Sequence, residues 1–268
     1  MLEYKDILEC IDGYIIVVDQ NDKIIYTNDP DAVTLYKKFG SATASKVLSF
    51  NEKYFSTRSK TIDKGNGEHY QYIYYQDVTV VHEYEQSLIK KAMTDSLTRI
   101  CNRHGIEKAI ENYRTALTSS CVVYADIDHF KKINDTYSHD AGDFILSEVA
   151  KILSSNIRED DLVGRMGGEE FLIILNSTNT ERARPKLEKI RETIKEHDFI
   201  WKDNNIKLTM SFGASEFKPD KDSDFERTIT EADTALKYSK ENGRDQITYF
   251  KKMEYMVNDS TKSIGPRK

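Results

Sequence analysis

The stretch Leu162 to Asn176, LVGRMGGEEFLIILN, sets two adjacent glycines and two adjacent glutamates between apolar runs. Leu162 and Val163 lie before them and Phe171 to Leu175 after, so the pattern predicts a β-hairpin with Gly167 and Gly168 at its tip. Glycine adopts positive φ without a Cβ penalty, so both central positions of a tight turn can be filled without strain. Core strands seldom begin with two carboxylates. Glu169 and Glu170 beside bare glycine backbone suit a cation and a phosphate-bearing ligand that approaches the main chain closely. On these residues alone, an exposed turn followed by solvated acids is the alternative.

Upstream, SCVVYADI (120–127) reads as a buried strand that runs into Asp128. Alternation places Asp126 and Asp128 on one face, so with Glu169 and Glu170 at least three carboxylates can converge. Mg²⁺ is commonly held by one or two protein carboxylates plus substrate phosphates, and two such ions can polarise a phosphate and activate a hydroxyl. Asp128 equally suits the N-cap of a following helix.

Helical periodicity covers 103–117, 140–157, 180–197 and 224–242, and strands are expected at 206–215 and 246–250. Strands interleaved with helices predict an α/β (α+β) domain with a central mixed sheet flanked by helices. Up to about residue 80 the chain is strand-rich: 13–19 and 23–27 form a hairpin, and strands near 59–63 and 69–76 flank Gly-Asn-Gly at 65–67. Short helical turns fit 31–39 and 42–48. From 80 to 93 Val81, Tyr84, Leu88 and Ala92 recur at helical spacing. Two heptads of this kind either pair with a second copy or pack on their own domain. The polar tail from 251 is expected to be loose.

A chain of 268 residues with 38% hydrophobic and 10% aromatic content has enough apolar side chains for folded cores. A net charge of −6 argues against a general nucleic-acid binder and favours small molecules or protein as partners. Cys10, Cys101 and Cys121 fit neither a zinc pattern nor an even disulfide set, and read as reduced thiols. The apolar run Tyr14 to Val18 is too short to cross a bilayer and follows no signal sequence. A soluble, cytoplasmic protein without membrane partners is expected.

The hairpin pentapeptide has companions: Asp95-Ser96-Leu97-Thr98 with Asn102-Arg103, DIDHFKKIND (126–135), SHDAGD (138–143), TMSFGAS (209–215) and ADTALKYSKENGRD (232–245). Together, over residues 92 to 250, they resemble the GGDEF family of diguanylate cyclases, whose fold is similar to nucleotide cyclase and polymerase palm domains. The resemblance implies that two GTP are condensed into cyclic di-GMP with release of two pyrophosphates. Each 3′-hydroxyl attacks the other nucleotide's α-phosphate, so the reactive site forms between two facing domains of a homodimer.

By similarity Asp126, Glu169 and the Ile127 carbonyl bind metal, Mg²⁺ or Mn²⁺, and Glu170 stands next to the phosphates. Glu169 is the position implied to help deprotonate the hydroxyl. Asn134 and Asp143 are the implied guanine readers: one carboxylate accepts from both the ring N–H and the exocyclic amine, a donor pair that adenine lacks on that edge. Lys131, Lys240 and Arg244 are the phosphate cations, although Lys240 and Arg244 around Gly243 also suit a helix C-terminus. Gly167 and Gly168 make room for the substrate.

Arg158 and Asp161 have the R-x-x-D spacing of the family's inhibitory product site, completed by another basic residue such as Lys189 or Arg191. Arg99, Cys101, Ser138, Lys237 and Asp245 depart from the family pattern without removing a proposed ligand. Residues 1 to 80 resemble a PAS sensor domain, on ILECIDGYIIVVDQNDKIIYTN (7–28) and YYQDVT (74–79). Neither His69 nor His82 reads as a haem or flavin ligand, so the signal sensed is left open. The implied organisation is a PAS-like domain (1–80), a signalling helix (81–93), a catalytic domain (94–250) and a tail (251–268). A catalytically inactive cyclic di-GMP receptor and a scaffolding module are the rival readings.

Overall fold

Asp19 closes the first hairpin, where its Oδ1 accepts the N–H groups of Asn21 (2.8 Å) and Lys23 (3.0 Å) between β1 (Tyr14–Asp19) and β2 (Ile24–Thr27). The computed structural model describes residues 12–40, 47–65, 67–113, 119–219, 224–251 and 253. They divide into two compact units between Ile89 and Lys90.

In the N-terminal unit, α1 (Pro30–Phe39) starts with proline at its first turn, and the Asp29 side chain accepts the Asp31 N–H. Three more strands, β3 (Leu48–Phe50), β4 (Lys53–Asp63) and β5 (His69–Asp77), complete an antiparallel sheet in the order β2-β1-β5-β4-β3. Ile16, Val18, Leu35, Phe55, Ile73 and Tyr75 form its core. The expected helical turn at 42–48 falls largely on residues outside those described, and Leu48 itself begins a strand. Helix α2 (Thr79–Met93) follows with no buried residue, and Val80, Val81, Tyr84, Leu88 and Ile89 are exposed.

The second unit starts with β6 (Cys101–Asn102) and α3 (Arg103–Tyr113), then β7 (Ser120–Ile127), every residue of which is buried. Next come α4 (Phe130–Tyr137) and α5 (His139–Ser155), separated at Ser138 by a φ of 129°. The helix expected at 140–157 is therefore the second of a pair. The hairpin strands β8 (Leu162–Gly167) and β9 (Glu170–Asn176) precede α6 (Thr180–Glu196), which runs on through Pro185. A short hairpin, β10 (Phe199–Trp201) and β11 (Asn204–Ile206), was not expected, and the strand read at 206–215 is β12 (Met210–Phe217). Helix α7 (Phe225–Glu241) and β13 (Ile247–Tyr249) end the described fold.

The six-stranded sheet has the order β13-β12-β7-β9-β8-β6 and is mixed, with parallel pairs at β12–β13 and β6–β8. Helices cover both faces, and strand parity sorts the side chains. Cys121, Val123, Ala125 and Ile127 with Phe171, Ile173 and Leu175 pack under α5 and α6. Val122, Tyr124, Leu172 and Ile174 pack under α3 and α7. Burial on both faces is why β7 and β9 read as nearly unbroken apolar runs.

Candidate active site

The same parity carries Asp126 and Glu170 to the α3/α7 face, and the register of β7 with β9 sets them directly opposite each other. Asp126 is only 3% exposed, and the Lys240 ammonium at the end of α7 lies 2.7 Å from its Oδ2. Burial pushes the Asp126 carboxyl up to about 6; Lys240 opposes this, while Glu169 and Glu170 push the same way as burial. The Tyr124 hydroxyl, one turn of the pleat back, donates to Glu170 Oε2 at 3.4 Å. Burial first, then Glu170, raises that phenol to about 12.

At the hairpin tip Gly167 pairs with Glu170, so the two-residue loop is Gly168-Glu169 and not the glycine pair. A register irregularity between Arg165 and Gly167 accompanies this pairing. Gly167 and Gly168 have φ of 155° and 49°, and a Cβ on either would meet nothing within 4 Å. Conformation, not crowding, demands glycine here, and it leaves open space against the backbone. The Ile127 N–H donates to the Glu169 carbonyl at 3.4 Å, which joins the tip to the end of β7. Arg165 braces the loop from behind: its Nε donates to the Gly168 carbonyl (2.9 Å) and its Nη1 lies 3.3 Å from Asp95 Oδ1. Asp95 is in turn held by the N–H (2.8 Å) and hydroxyl (2.7 Å) of Thr98. This support was not assigned from sequence, although Asp95 and Thr98 stand in a quoted motif.

Asp128 corrects one expectation: it does not cap α4, whose N-cap is His129 in the left-handed region without a side-chain hydrogen bond. Like Asp126 it is buried, 5% exposed, and its carboxylate accepts from the hydroxyls of Thr209 (2.6 Å) and Ser211 (2.7 Å), the latter the register partner of Asp126.

Asn134 on α4 and Asp143 on α5 come together through Gly142, at which a Cβ would lie 1.9 Å from Asn134 Oδ1. That oxygen is buried and has no hydrogen-bond partner among the described residues, while Asp143 is exposed. A buried acceptor left unpaired costs roughly 1–3 kcal/mol, a cost that is recovered when the amide turns outward to meet a ligand donor. Lys131 and Arg244 are exposed, and of the three expected phosphate cations only Lys240 pairs with the acids.

At the second expected site Arg158 borders an open pocket of about 430 Å³ with Lys186 and Lys189. Asp161 is 8% exposed and turns inward: its carboxylate accepts the N–H groups of Arg158 (3.0 Å) and Asn176 (2.9 Å) and pairs with Lys186 (3.1 Å). Arg191 lies instead against Asp245, Glu188 and Glu192.

Among the described residues no group of three or more His, Cys, Asp or Glu side chains is placed to hold a metal alone. Two carboxylates and a strand-end carbonyl are hard oxygen donors that fit a divalent cation completing its shell from phosphates and water. The buried Asp126 carboxylate already has a cation beside it in Lys240. Among those residues no helix is long and apolar enough to cross a membrane.

The sequence model of the family described as "Diguanylate cyclase, GGDEF domain" matches residues 92–246. Diguanylate cyclase A of Treponema denticola is 36% identical over 171 residues, which cover 61% of this chain and 46% of that protein. The chain spans about half the length of the curated relatives it matches, 46% and 55% for two of them. Among solved structures, the coiled coil and GGDEF domain of DgcB from Caulobacter crescentus, in complex with c-di-GMP, is similar with a TM-score of 0.60 and 28% identity. It covers 64% of this chain and 93% of that one. The active GGEEF domain of a diguanylate cyclase from Vibrio cholerae has a TM-score of 0.51 and 33% identity, with 56% of this chain and 97% of that one covered.

Proposed function

Because the chain belongs to the GGDEF family of diguanylate cyclases, we propose that it joins two GTP molecules into cyclic di-GMP and releases two pyrophosphates. The observation that carries this reading is the buried Asp126 opposite Glu170, beside an open glycine tip. Asp126 facing Glu170, with Glu169 in the adjoining turn also acting on it and Lys240 the one ammonium paired with it among the described residues, costs folding energy unless a cationic ligand uses the acids.

In this reading Asp126, Glu169 and the Ile127 carbonyl hold a divalent cation, Mg²⁺ or Mn²⁺. When bound, it neutralises phosphate charge and lowers the barrier to attack at the α-phosphorus. Asp143 and Asn134 take the guanine edge, with the Asn134 amide, whose Oδ1 has no partner among the described residues, turning outward to accept. Lys240, Arg244 and Lys131 bind the phosphates, and Gly167 and Gly168 let them approach the backbone. Glu169 accepts the proton of the 3′-hydroxyl as its oxygen bonds to the α-phosphorus and pyrophosphate departs, while Glu170 orders the phosphate groups. Catalysis of this kind is mainly positioning and electrostatics, so no nucleophilic side chain is required.

The second nucleotide comes from a second copy of the chain. The exposed apolar positions of α2, Val81, Tyr84 and Leu88, suit pairing with that copy. We read residues 1–80 as a PAS-like sensor, on the motifs above and on the five-stranded antiparallel sheet with one helix. It acts through the helix at 81–93 on a catalytic domain over 94–250, in the cytoplasm. Product binding at Arg158, with Lys186 and Lys189 as further cations, supplies feedback inhibition, and Asp161 serves by holding Lys186 and the loop.

Purified protein incubated with GTP and Mg²⁺ should yield cyclic di-GMP, identified by mass spectrometry. No cyclic dinucleotide from concentrated, product-free protein would overturn the cyclase reading in favour of a receptor.

A further inference from the structure

Asp128 lies two residues past Asp126, and donors from two remote segments converge on its carboxylate. Thr209 and Ser211 reach it from the start of β12, and the Asp245 N–H from the turn after α7 at 3.1 Å. Its own N–H donates to the Thr209 carbonyl at 2.9 Å. A carboxylate offers about four lone-pair sites on two oxygens, so it satisfies all three donors at once.

The turn it holds is unusual. Gly243, Arg244 and Asp245 have φ of 112°, 60° and 46°, three successive residues outside the region that L side chains prefer. Such a turn persists only where its surroundings over-determine it. Here the Arg244 N–H donates to the Ser239 carbonyl (3.0 Å), the Phe212 N–H donates to the Gln246 carbonyl (2.9 Å), and the Asp245 carboxylate pairs with Lys195 (2.8 Å) and Arg191. Arg244 itself stays exposed and pairs with no carboxylate among the described residues.

We propose that Asp128 is a positioning residue: it clamps the left-handed turn at 243–245 to the ends of β7 and β12, and so sets Arg244 at the correct place for the nucleotide phosphates. The inference rests on the cyclase reading above. Asparagine at 128 keeps the essential bond, because its oxygen can face Asp245 and Thr209 while the Ser211 hydroxyl rotates to accept from the new amide. Alanine keeps none of the three.

The test is a double-mutant cycle on binding of α,β-methylene-GTP in Mg²⁺, read by calorimetry, with GTP kinetics alongside. D128A should weaken analogue binding by about tenfold, the scale of one charge-assisted hydrogen bond, and raise KM more than it lowers kcat. D128N should stay within about threefold of wild type, as it keeps the bond to the turn. In an R244A background D128A should have no further effect on affinity. If D128A does not fold, G243A perturbs the same turn from its open side: a Cβ there meets nothing within 4 Å, but the φ of 112° excludes it. G243A should show the same loss and the same absence of effect in R244A. A variant that only lowers the melting temperature, or losses that multiply with R244A, would overturn the proposal. Wild-type protein that binds the analogue but makes no cyclic dinucleotide would refute the cyclase reading while leaving the binding cycle interpretable.

Discussion

Replacing Gly142 with alanine separates the stability of the fold from recognition of the base. Gly142 lies in the first part of α5, where alanine is better than glycine by about 0.8–1.0 kcal/mol of helix propensity. The new methyl would sit 1.9 Å from Asn134 Oδ1 and 3.1 Å from Phe130 Cζ, so Asn134 must move. Asn134 Oδ1 is the end of a side chain with two rotatable bonds, and it has no partner among the described residues to hold it in place. Swinging it away costs about 0.5–1.5 kcal/mol in rotamer energy, which roughly cancels the helix gain. The melting temperature should therefore change little. The loss falls on the ligand: a guanine donor that finds no acceptor forfeits about 0.5–1.5 kcal/mol, or about two- to tenfold in affinity. The assay is GTP KM, with ATP as competitor, beside a thermal melt of the same sample. A G142A protein that binds GTP as wild type does, with Asn134 displaced, would refute the assignment of Asn134 to the base.

Glu170→Gln should abolish cyclic di-GMP formation by mass spectrometry while leaving the fold intact by circular dichroism; turnover at the wild-type rate would remove the assignment of the acids to the reaction. Arg158→Ala should relieve product inhibition without changing the initial rate, and an unchanged inhibition curve would argue against the pocket with Lys186 and Lys189. The Asp126 carboxyl rises from 3.8 to about 6, mainly through burial, so its protonated form favours the folded state. That contribution, about 3 kcal/mol, is present below about pH 4 and is lost as pH rises through about 6. Asp126→Asn measured in EDTA should therefore melt above wild type at pH 8, with the gap closing toward pH 5; a pH-independent gap would contradict the buried acid.

The buried strands were legible because β7 and β9 are covered on both faces, and their parity follows from Asp126 and Glu170 being register partners. What lay beyond the sequence was the small irregularity. The register changes between Arg165 and Gly167 and the turn closes on Gly168-Glu169, and period-two alternation cannot reveal where such a change falls. Likewise the β10–β11 hairpin turns at Lys202, a non-glycine residue with φ of 53°, and Asp203 with Asn204 and Asn205 was a turn signal that went unread for want of a flanking alternating run. The candidate site residues were named from motif spacing, but their supports were not. Arg165 reaches Asp95 across 70 residues and Thr209 reaches Asp128 across 81, separations at which local pattern carries no information.

Asp245 shows how a departure from a family pattern acquires meaning only in three dimensions. An acid where the pattern has asparagine would, from sequence, add negative charge close to a phosphate site already crowded by Asp126, Glu169 and Glu170. In the fold its carboxylate turns toward α6, where Lys195 and Arg191 meet it. Burial acts to raise its carboxyl, but hydrogen bonds and charge from those two cations outweigh it and hold the group below the usual carboxylate range. The charge is therefore neutralised on the side away from Asp128, and only the Asp245 N–H is offered to that carboxylate. It follows that Arg191 is committed to the turn at 243–245 and is not free to complete the proposed product site. Lys186 is likewise paired, with Asp161, so in that proposal Lys189 is the cation bordering the pocket beside Arg158 that pairs with no carboxylate among the described residues.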